Sequence, residues 1–288
     1  MFDRFGREIN YLRISVTDRC NLRCTYCMPA EGITLLRHED ILSFESIAAI
    51  ARSAVELGLT KIRLTGGEPL ARKGLPELVS LLAAIPGLET LALTTTGTLL
   101  ARFAAVLRRR GLDSVNISLD TLDAGIYAGL TRGGRLADAL AGIEAALAAG
   151  LPVKLTAVQC PGAPADTRSS LQDFATERGL GLQFIRQYRL DETRVPSMGS
   201  PAPGPVLRPG LGALPAVSDT GHFDRPPPCA VCNRLRLLAN GRLKTCLHSD
   251  DLLPVDPGNP RPALEAAILA KPRQGATCTS LAIGQIGG

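Results

Sequence analysis

From residue 9 to about 190 the chain alternates short apolar or β-branched runs with amphipathic stretches. The runs are INYLRISVT (9–17), KIRLTG (61–66), LETLALTTTG (88–97), SVNISLD (114–120), PVKLTAVQ (152–159) and LGLQFIRQY (180–188). Between them lie FESIAAIARSAVELG (44–58), GLPELVSLLAAI (74–85), LLARFAAVLRRRG (99–111), RLADALAGIEAALAAG (135–150) and TRSSLQDFATERG (167–179). Apolar residues in these stretches recur at helical spacing, and several end on Gly before the next run. Six strands and five helices in this order confine the chain to a parallel sheet with right-handed crossovers. The alternation admits an open sheet or a partial barrel. In either, loops that carry chemistry are expected at the C-terminal ends of the strands.

The pattern breaks between Pro196 and Pro228, where PSMGSPAPGPVLRPG and DRPPPC read as an irregular linker. Three parts follow: a core over 1–190, a Pro/Gly-rich linker over 191–228, and a module with a tail over 229–288. In the module, RLRLLANGRLKTCL reads as a β-hairpin with Asn240-Gly241 as a tight turn. That turn pairs Leu235 with Cys246 and brings Cys246 to Cys229 and Cys232. A last helix is expected over 261–271.

Eight cysteines make the redox compartment matter. The opening MFDRFGREIN is charged and lacks an apolar core, so no signal peptide is expected. No apolar run reaches the roughly 18 residues of a membrane span. A cytoplasmic location follows, with reduced thiols that read as metal ligands where they cluster. A net charge of +5 leans mildly toward anionic partners. With no Trp and 4% aromatics, stacking platforms for nucleic acid are disfavoured.

The cysteines form two triplets. Cys20, Cys24 and Cys27 in CNLRCTYC follow the first strand, and Cys229, Cys232 and Cys246 span CAVCNRLRLLANGRLKTC. Soft thiolates suit iron–sulfur clusters or zinc. An ordinary [4Fe-4S] cluster takes four cysteines, so a triplet leaves one iron open to a ligand. A three-cysteine zinc site completed by His is the alternative, but no His precedes His38.

Cys-x3-Cys-x2-Cys with an aromatic residue before its last cysteine resembles the signature of radical S-adenosylmethionine (SAM) enzymes. RLTGGEP (63–69) is similar to their segment that receives the SAM amino group, and Gly66 and Gly67 let backbone approach a ligand. The second triplet, with NRLR, resembles the molybdenum cofactor biosynthesis protein A family of GTP 3′,8-cyclases. YLRISVTDRCNLRCTYCMP, DILSFESI, KIRLTGGEPL, NISLDTLD and the terminal IGG agree. The resemblance implies a partial (β/α)6 TIM-type barrel with a small C-terminal extension carrying a second cluster. It implies two [4Fe-4S] clusters and SAM as cofactors. One electron cleaves SAM to a 5′-deoxyadenosyl radical, which takes the ribose 3′ hydrogen of GTP, and the product is 3′,8-cyclo-7,8-dihydro-GTP. It further implies SAM contacts at Tyr26, Gly67, Ser118 and Tyr188. GTP contacts would fall on Arg13, Arg63, Thr94, Lys154, Arg234 and Arg236, where guanidinium forks suit phosphate. The Gly287-Gly288 tail is similar to one that enters the active site. A flavodoxin- or ferredoxin-type electron donor is implied, and a homodimer is compatible.

Some positions depart from the family's pattern. Thr96 stands in place of an Asn, Gln183 and Arg186 in QFIR replace an Arg and a Glu, and Tyr188 replaces a Met. They leave as an alternative a divergent radical SAM paralogue acting on another nucleotide or a peptide. A non-enzymatic iron–sulfur or zinc protein would leave the matched Arg set without purpose. Cys160 reads as a core or loop thiol, and Cys278 is a candidate fourth ligand that lacks local spacing to the second triplet.

Overall fold

The computed structural model describes residues 1–160, 162, 164–187, 229–276, 278, 281 and 286. Six parallel strands come first: β1 (Tyr11–Ser15), β2 (Lys61–Thr65), β3 (Thr90–Thr95), β4 (Ser114–Ser118), β5 (Val153–Gln159) and β6 (Gly181–Arg186). Each pairs in parallel with the next. Alternation sets their faces: Leu12, Ile14, Ile62 and Leu64 are buried, while the intervening Tyr11, Arg13, Lys61 and Arg63 turn to the other face.

Helices cover the apolar face. In α1 (Phe44–Glu56), Ser43 accepts from Ser46 N, and Ile47, Ile50, Ala51 and Ala54 form the buried stripe. Pro76 lies in the first turn of α2 (Leu75–Ala83). The stretch 99–111 is not one helix: a 3-10 turn at Leu100–Arg102 precedes a short α3 (Ala104–Arg109). Helix α5 (Leu136–Ala148) packs closely there, and a β-carbon on Gly142 would meet the Gly97 carbonyl oxygen at 2.1 Å. A helix not expected from periodicity, α4 (Ala124–Thr131), is capped by Asp123, which accepts from Ile126 N at 2.8 Å. Only Tyr127 and Thr131 of α4 are buried, too few for an apolar stripe. Helix α6 (Thr167–Glu177) packs on β6.

The C-terminal residues continue this layer. Strand β7 (Arg234–Leu237) pairs in parallel with β1 on its free side, β8 (Arg242–Lys244) returns antiparallel, and β9 (Leu252–Pro254) pairs with β8. The order is β6-β5-β4-β3-β2-β1-β7-β8-β9 in one sheet among the described residues. Helix α7 (Arg261–Leu269) adds Leu264, Ala267 and Ile268 to the same core as Leu12 and Ile62. Six strands with crossover helices match the expected partial (β/α)6 architecture. The linker expected over 191–228 lies outside the described residues.

The hairpin register differs from expectation by one residue. Arg236 faces Lys244 and Leu237 faces Leu243, so continuing the ladder sets Cys246 beside Arg234 rather than Leu235. A two-residue turn needs Asn240 at positive φ, but Gly241 (φ 75) is the positive-φ residue here. Gly241 N donates to Leu238 O at 3.0 Å and Leu238 N to Arg242 O at 2.8 Å, which makes a three-residue loop.

Candidate active site

Past the end of β1 the chain turns into the first cysteine loop. Leu22 N donates to Cys20 Sγ at 3.4 Å, and Cys27 N and Met28 N both donate to Cys24 O. The end of α4 braces the loop. Arg23 N and Thr25 N donate to the Thr131 and Leu130 carbonyls. Arg132, left-handed at φ 53, donates through Nη1 to the Arg23 and Met28 carbonyls at 2.9 and 2.8 Å. Burial and the neighbouring thiols push Cys24 up to about 12, and burial and Cys20 push Cys27 up to about 12. The three thiols therefore stand within electrostatic reach of one another. Among the described residues, no three His, Cys, Asp or Glu side chains are gathered to hold a single metal ion. Soft thiols on one braced loop, with an N–H on a sulfur, fit an iron–sulfur cluster.

The Gly-Gly-Glu turn after β2 lies against this loop. A β-carbon on Gly67 would meet Arg19 O at 2.3 Å, and one on Gly66 would meet Thr17 O at 2.4 Å. The glycines are thus demanded by the chain's own cysteine loop, a tighter constraint than the expected approach to a ligand. Gly67 N donates to Thr17 O and Glu68 N to Arg19 O, each at 2.8 Å. The buried Glu68 accepts from Leu70 N, Thr95 Oγ1 and Thr96 N at 3.0, 2.8 and 2.7 Å. Burial nonetheless raises its carboxyl above the usual range. Thr96, at the position of the family's Asn, reaches Glu68 through its backbone N–H and also through its hydroxyl. Its hydroxyl meets Thr98 Oγ1 at 2.9 Å.

Tyr26 OH donates to Asp120 Oδ2 at 2.6 Å, and Asp120 Oδ1 accepts from Val158 N at 2.7 Å. This buried carboxylate, just past β4, ties the cysteine loop to β5. Ser118, the last residue of β4, lies opposite Thr156. Cys160 is half-buried past β5, its thiol raised by burial and by Asp120.

Between the strand ends, the sheet face away from α1 is cationic. Arg63, Arg13 and Arg236 are register partners across β2, β1 and β7. Arg63 donates through Nε to Tyr11 OH and through Nη1 to Thr94 Oγ1 at 3.4 Å. Arg234 lies over the Tyr11 ring at 5.4 Å, and its Nε is buried without a hydrogen-bond partner among the described residues. Burial would raise the Tyr11 hydroxyl, but Arg63, Arg13 and Arg234 pull it below its usual value. Burial, with Arg236 next in weight, brings Arg13 down to about 9. Lys154, lowered by burial and by Arg63 and Arg234, donates to Gln183 Oε1 at 2.6 Å. A buried guanidinium nitrogen awaiting an acceptor, in a row of like charges, fits a polyanion.

The second triplet sits at the opposite end of the strands. Cys229 and Cys232 lead into β7, which runs parallel to β1, and Cys246 follows β8 as it returns to that end. The expectation that all chemistry-bearing loops lie at the C-terminal ends therefore holds for the first triplet only. Five-residue β1 separates the two ends by about 13 Å at 3.3 Å per residue. Cys229 and Cys232 both act on the Cys246 thiol, which burial pushes up. Cys278 packs with Leu238, Leu247 and Ile286 and accepts from Lys244 Nζ at 3.4 Å. Ile286 is buried in the same cluster. Tyr188, Gly287 and Gly288 lie outside the described residues, and the Arg186 side chain is not described.

Sequence reasoning assigned no role to Tyr11, Asp120, Arg132 or Lys271. Their contacts join elements far apart in the chain; Tyr11, which opens YLRISVTDRCNLRCTYCMP, and Asp120, within NISLDTLD, stood in matched motifs, while Arg132 and Lys271 did not.

Residues 14–177 match the Radical SAM superfamily model. A GTP 3′,8-cyclase from Pelotomaculum thermopropionicum is 44% identical, covering 86% of this chain and 84% of the relative. One from Moorella thermoacetica is 43% identical over 94% and 92%. Among solved structures, Streptococcus suis SuiB bound to precursor peptide SuiA superposes with a TM-score of 0.53 at 18% identity, over 64% of this chain and 40% of that one. Methylornithine synthase (PylB) gives 0.53 at 18% identity over 64% and 55%. At these identities the two structures speak to the fold alone.

Proposed function

Because the chain belongs to the radical SAM superfamily and, within it, to the GTP 3′,8-cyclases, we propose that its two triplets hold the two clusters of that reaction at either end of the arginine row. The protein is a lyase that converts GTP to (8S)-3′,8-cyclo-7,8-dihydro-GTP, the first step of molybdenum cofactor biosynthesis. Its cofactors are SAM and two [4Fe-4S] clusters.

The observation that carries the assignment of residues is the opposed placement of the triplets across Arg13, Arg63 and Arg236. Cys20, Cys24 and Cys27 hold the cluster that, when loaded, supplies one-electron cleavage of SAM. Tyr26, Gly67, Ser118 and Tyr188 form the SAM side, with Tyr26 fixed by Asp120. Cys229, Cys232 and Cys246 hold the cluster on the GTP side. Arg234 and Arg236 reach from β7 while Arg13, Arg63, Thr94 and Lys154 reach from the neighbouring strands. Fixed on strands, these cations orient the nucleotide without reorganising, which is the protein's share of the rate enhancement. We assign the parts as a SAM-binding core over 1–190, a linker over 191–228 and a substrate module over 229–288.

One-electron chemistry calls for a flavodoxin- or ferredoxin-type donor. Eight free cysteines are consistent with a reducing cytoplasm, and no helix among the described residues is long and apolar enough to cross a membrane. Homodimer assembly rests on the family resemblance alone.

The test is anaerobic reconstitution followed by SAM, dithionite and GTP, with ATP as control. About eight irons per chain, from two four-iron clusters, and cyclised GTP are expected. Cys229→Ser should abolish cyclisation and retain the first cluster's spectrum. Zinc in place of iron, or deoxyadenosine release indifferent to GTP, overturns the assignment.

A further inference from the structure

Lys271 follows α7 and is 2% exposed. Its ammonium donates to Arg234 O at 2.7 Å, to Thr245 O at 2.9 Å and to Cys232 Sγ at 3.6 Å. An ammonium has three N–H donors and no acceptor, so these contacts use all of them. The two carbonyls stand on opposite strands at the open end of the hairpin. Arg234 begins β7, two residues after Cys232, and Thr245 follows β8, one residue before Cys246. The ammonium therefore sits at the neck between two cysteines of the second triplet, and its charge acts on both.

The third cysteine is tied to the same segment. Arg7, held by the buried Asp3 at 2.6 Å, donates to Cys229 O at 2.7 Å and to Pro272 O at 2.8 Å. Lys271-Pro272 is thus the point to which all three cysteine arms are referred. A buried ammonium costs several kcal/mol without an anion nearby. The carbonyls satisfy its hydrogen bonds and carry no net charge, whereas a metal-bound thiolate supplies the counter-charge. N–H donors to ligand sulfurs, and cations beside a cluster, favour its more reduced and more negative state.

We infer that Lys271 is a positioning residue for the second triplet: it pins the open end of the β7–β8 hairpin, donates to the Cys232 sulfur, and raises the reduction potential of the cluster held there. This rests on the reading that Cys229, Cys232 and Cys246 bind a cluster.

The experiment uses the full chain with Cys20, Cys24 and Cys27 all changed to Ser, so that only the second triplet can load. After anaerobic reconstitution, iron per chain, the electron paramagnetic resonance spectrum, the midpoint potential and the rate of iron loss to a chelator are measured. This parent should hold about four irons; a parent without iron brings down the reading of the triplet, and the inference with it. Lys271→Gln keeps a donor and loses the charge, and should hold its cluster at a more negative midpoint with an altered spectrum. Lys271→Met should release iron at least tenfold faster, and Lys271→Arg should restore the midpoint. A role confined to packing would change the melting temperature and leave the midpoint alone. Parental iron, spectrum and midpoint in both Lys271→Gln and Lys271→Met overturn the inference. Should Lys271→Met fail to fold, Lys271→Gln decides by the same measurements.

Discussion

A β-carbon at position 67 has nowhere to go, since it would stand 2.3 Å from the Arg19 carbonyl oxygen. The obstacle is backbone, and backbone here leads straight into Cys20. Gly67→Ala should cost about 2 kcal/mol, as overpacked sites do, read as a lower denaturant midpoint of the apo-protein. It should also deplete iron from the first triplet while the second keeps its spectrum. Lys154 makes a prediction about pH. Burial first, then Arg63 and Arg234, hold its ammonium below the usual lysine value. A base depressed in the fold binds fewer protons there than in the unfolded chain. Apo stability should therefore rise with pH between the folded and the unfolded lysine values. Affinity for GTP should fall over the same alkaline range as the ammonium is lost. Lys154→Arg should flatten that fall, and Lys154→Met should weaken binding about tenfold to a hundredfold at neutral pH, the scale of a charged hydrogen bond. A calorimetric titration across pH measures all three. The cysteines were legible because both triplets keep ligands close in sequence. Asp120 was not, because its partner Tyr26 is 94 residues away, and Lys271 was not, because Cys232 is 39 residues away.

At the scale of elements, the hairpin decides whether Cys246 joins its triplet. Gly241 is left-handed at φ 75, and a β-carbon there would press on Leu42 Cδ2 at 3.2 Å. Leu42 N is itself bonded to Ala239 O at 2.9 Å, so the loop is fixed from outside as well as within. Gly241→Val should destabilise the apo-protein by about 1–2 kcal/mol, from the left-handed backbone. Gly241→Asn should cost less, because Asn tolerates that region. In the reconstituted enzyme the Val variant should lose iron from the second triplet before the first, seen as the cluster spectra separate on chelation. Equal loss from both triplets would count against the hairpin's role. The Asn-Gly pair marked the turn, but its length depends on which residue takes positive φ, and the local sequence allows either loop. A one-residue difference moves every side chain to the other face. The same limit hid α4, whose evidence is an Asp123 cap and a bond from Arg132 to the cysteine loop rather than a periodic stripe.

Over the whole molecule, the alternation of strands and helices forecast the parallel sheet through β6, since each crossover is written in local periodicity. The parallel docking of β7 on β1 was not foreseeable in that way. It joins residues more than 220 apart, seen also in Asn233 Nδ2 donating to Asn10 Oδ1. Its consequence is that the substrate module cannot stand apart from the core. Leu235, Leu237, Leu243, Val255, Leu264 and Ile268 belong to the cluster that includes Leu12, Ile14 and Ile62. At about 1.5–3 kcal/mol for each large side chain, removing those six forfeits about 9–18 kcal/mol. That is comparable to the net stability of about 5–15 kcal/mol typical of a folded protein. Deleting residues 229–288 would also bare the hydrogen-bonding edge of β1. The deleted chain should therefore fail to fold, not persist as a one-cluster enzyme. The apo-protein should unfold in a single denaturant transition, with circular dichroism and the exposure of Cys20 and Cys246 thiols following one curve. Separate midpoints for the two thiols would mean that β7 docks on a core already complete without it. The arginine row would then form only after folding, and the substrate module would count as an addition to the core rather than a part of it.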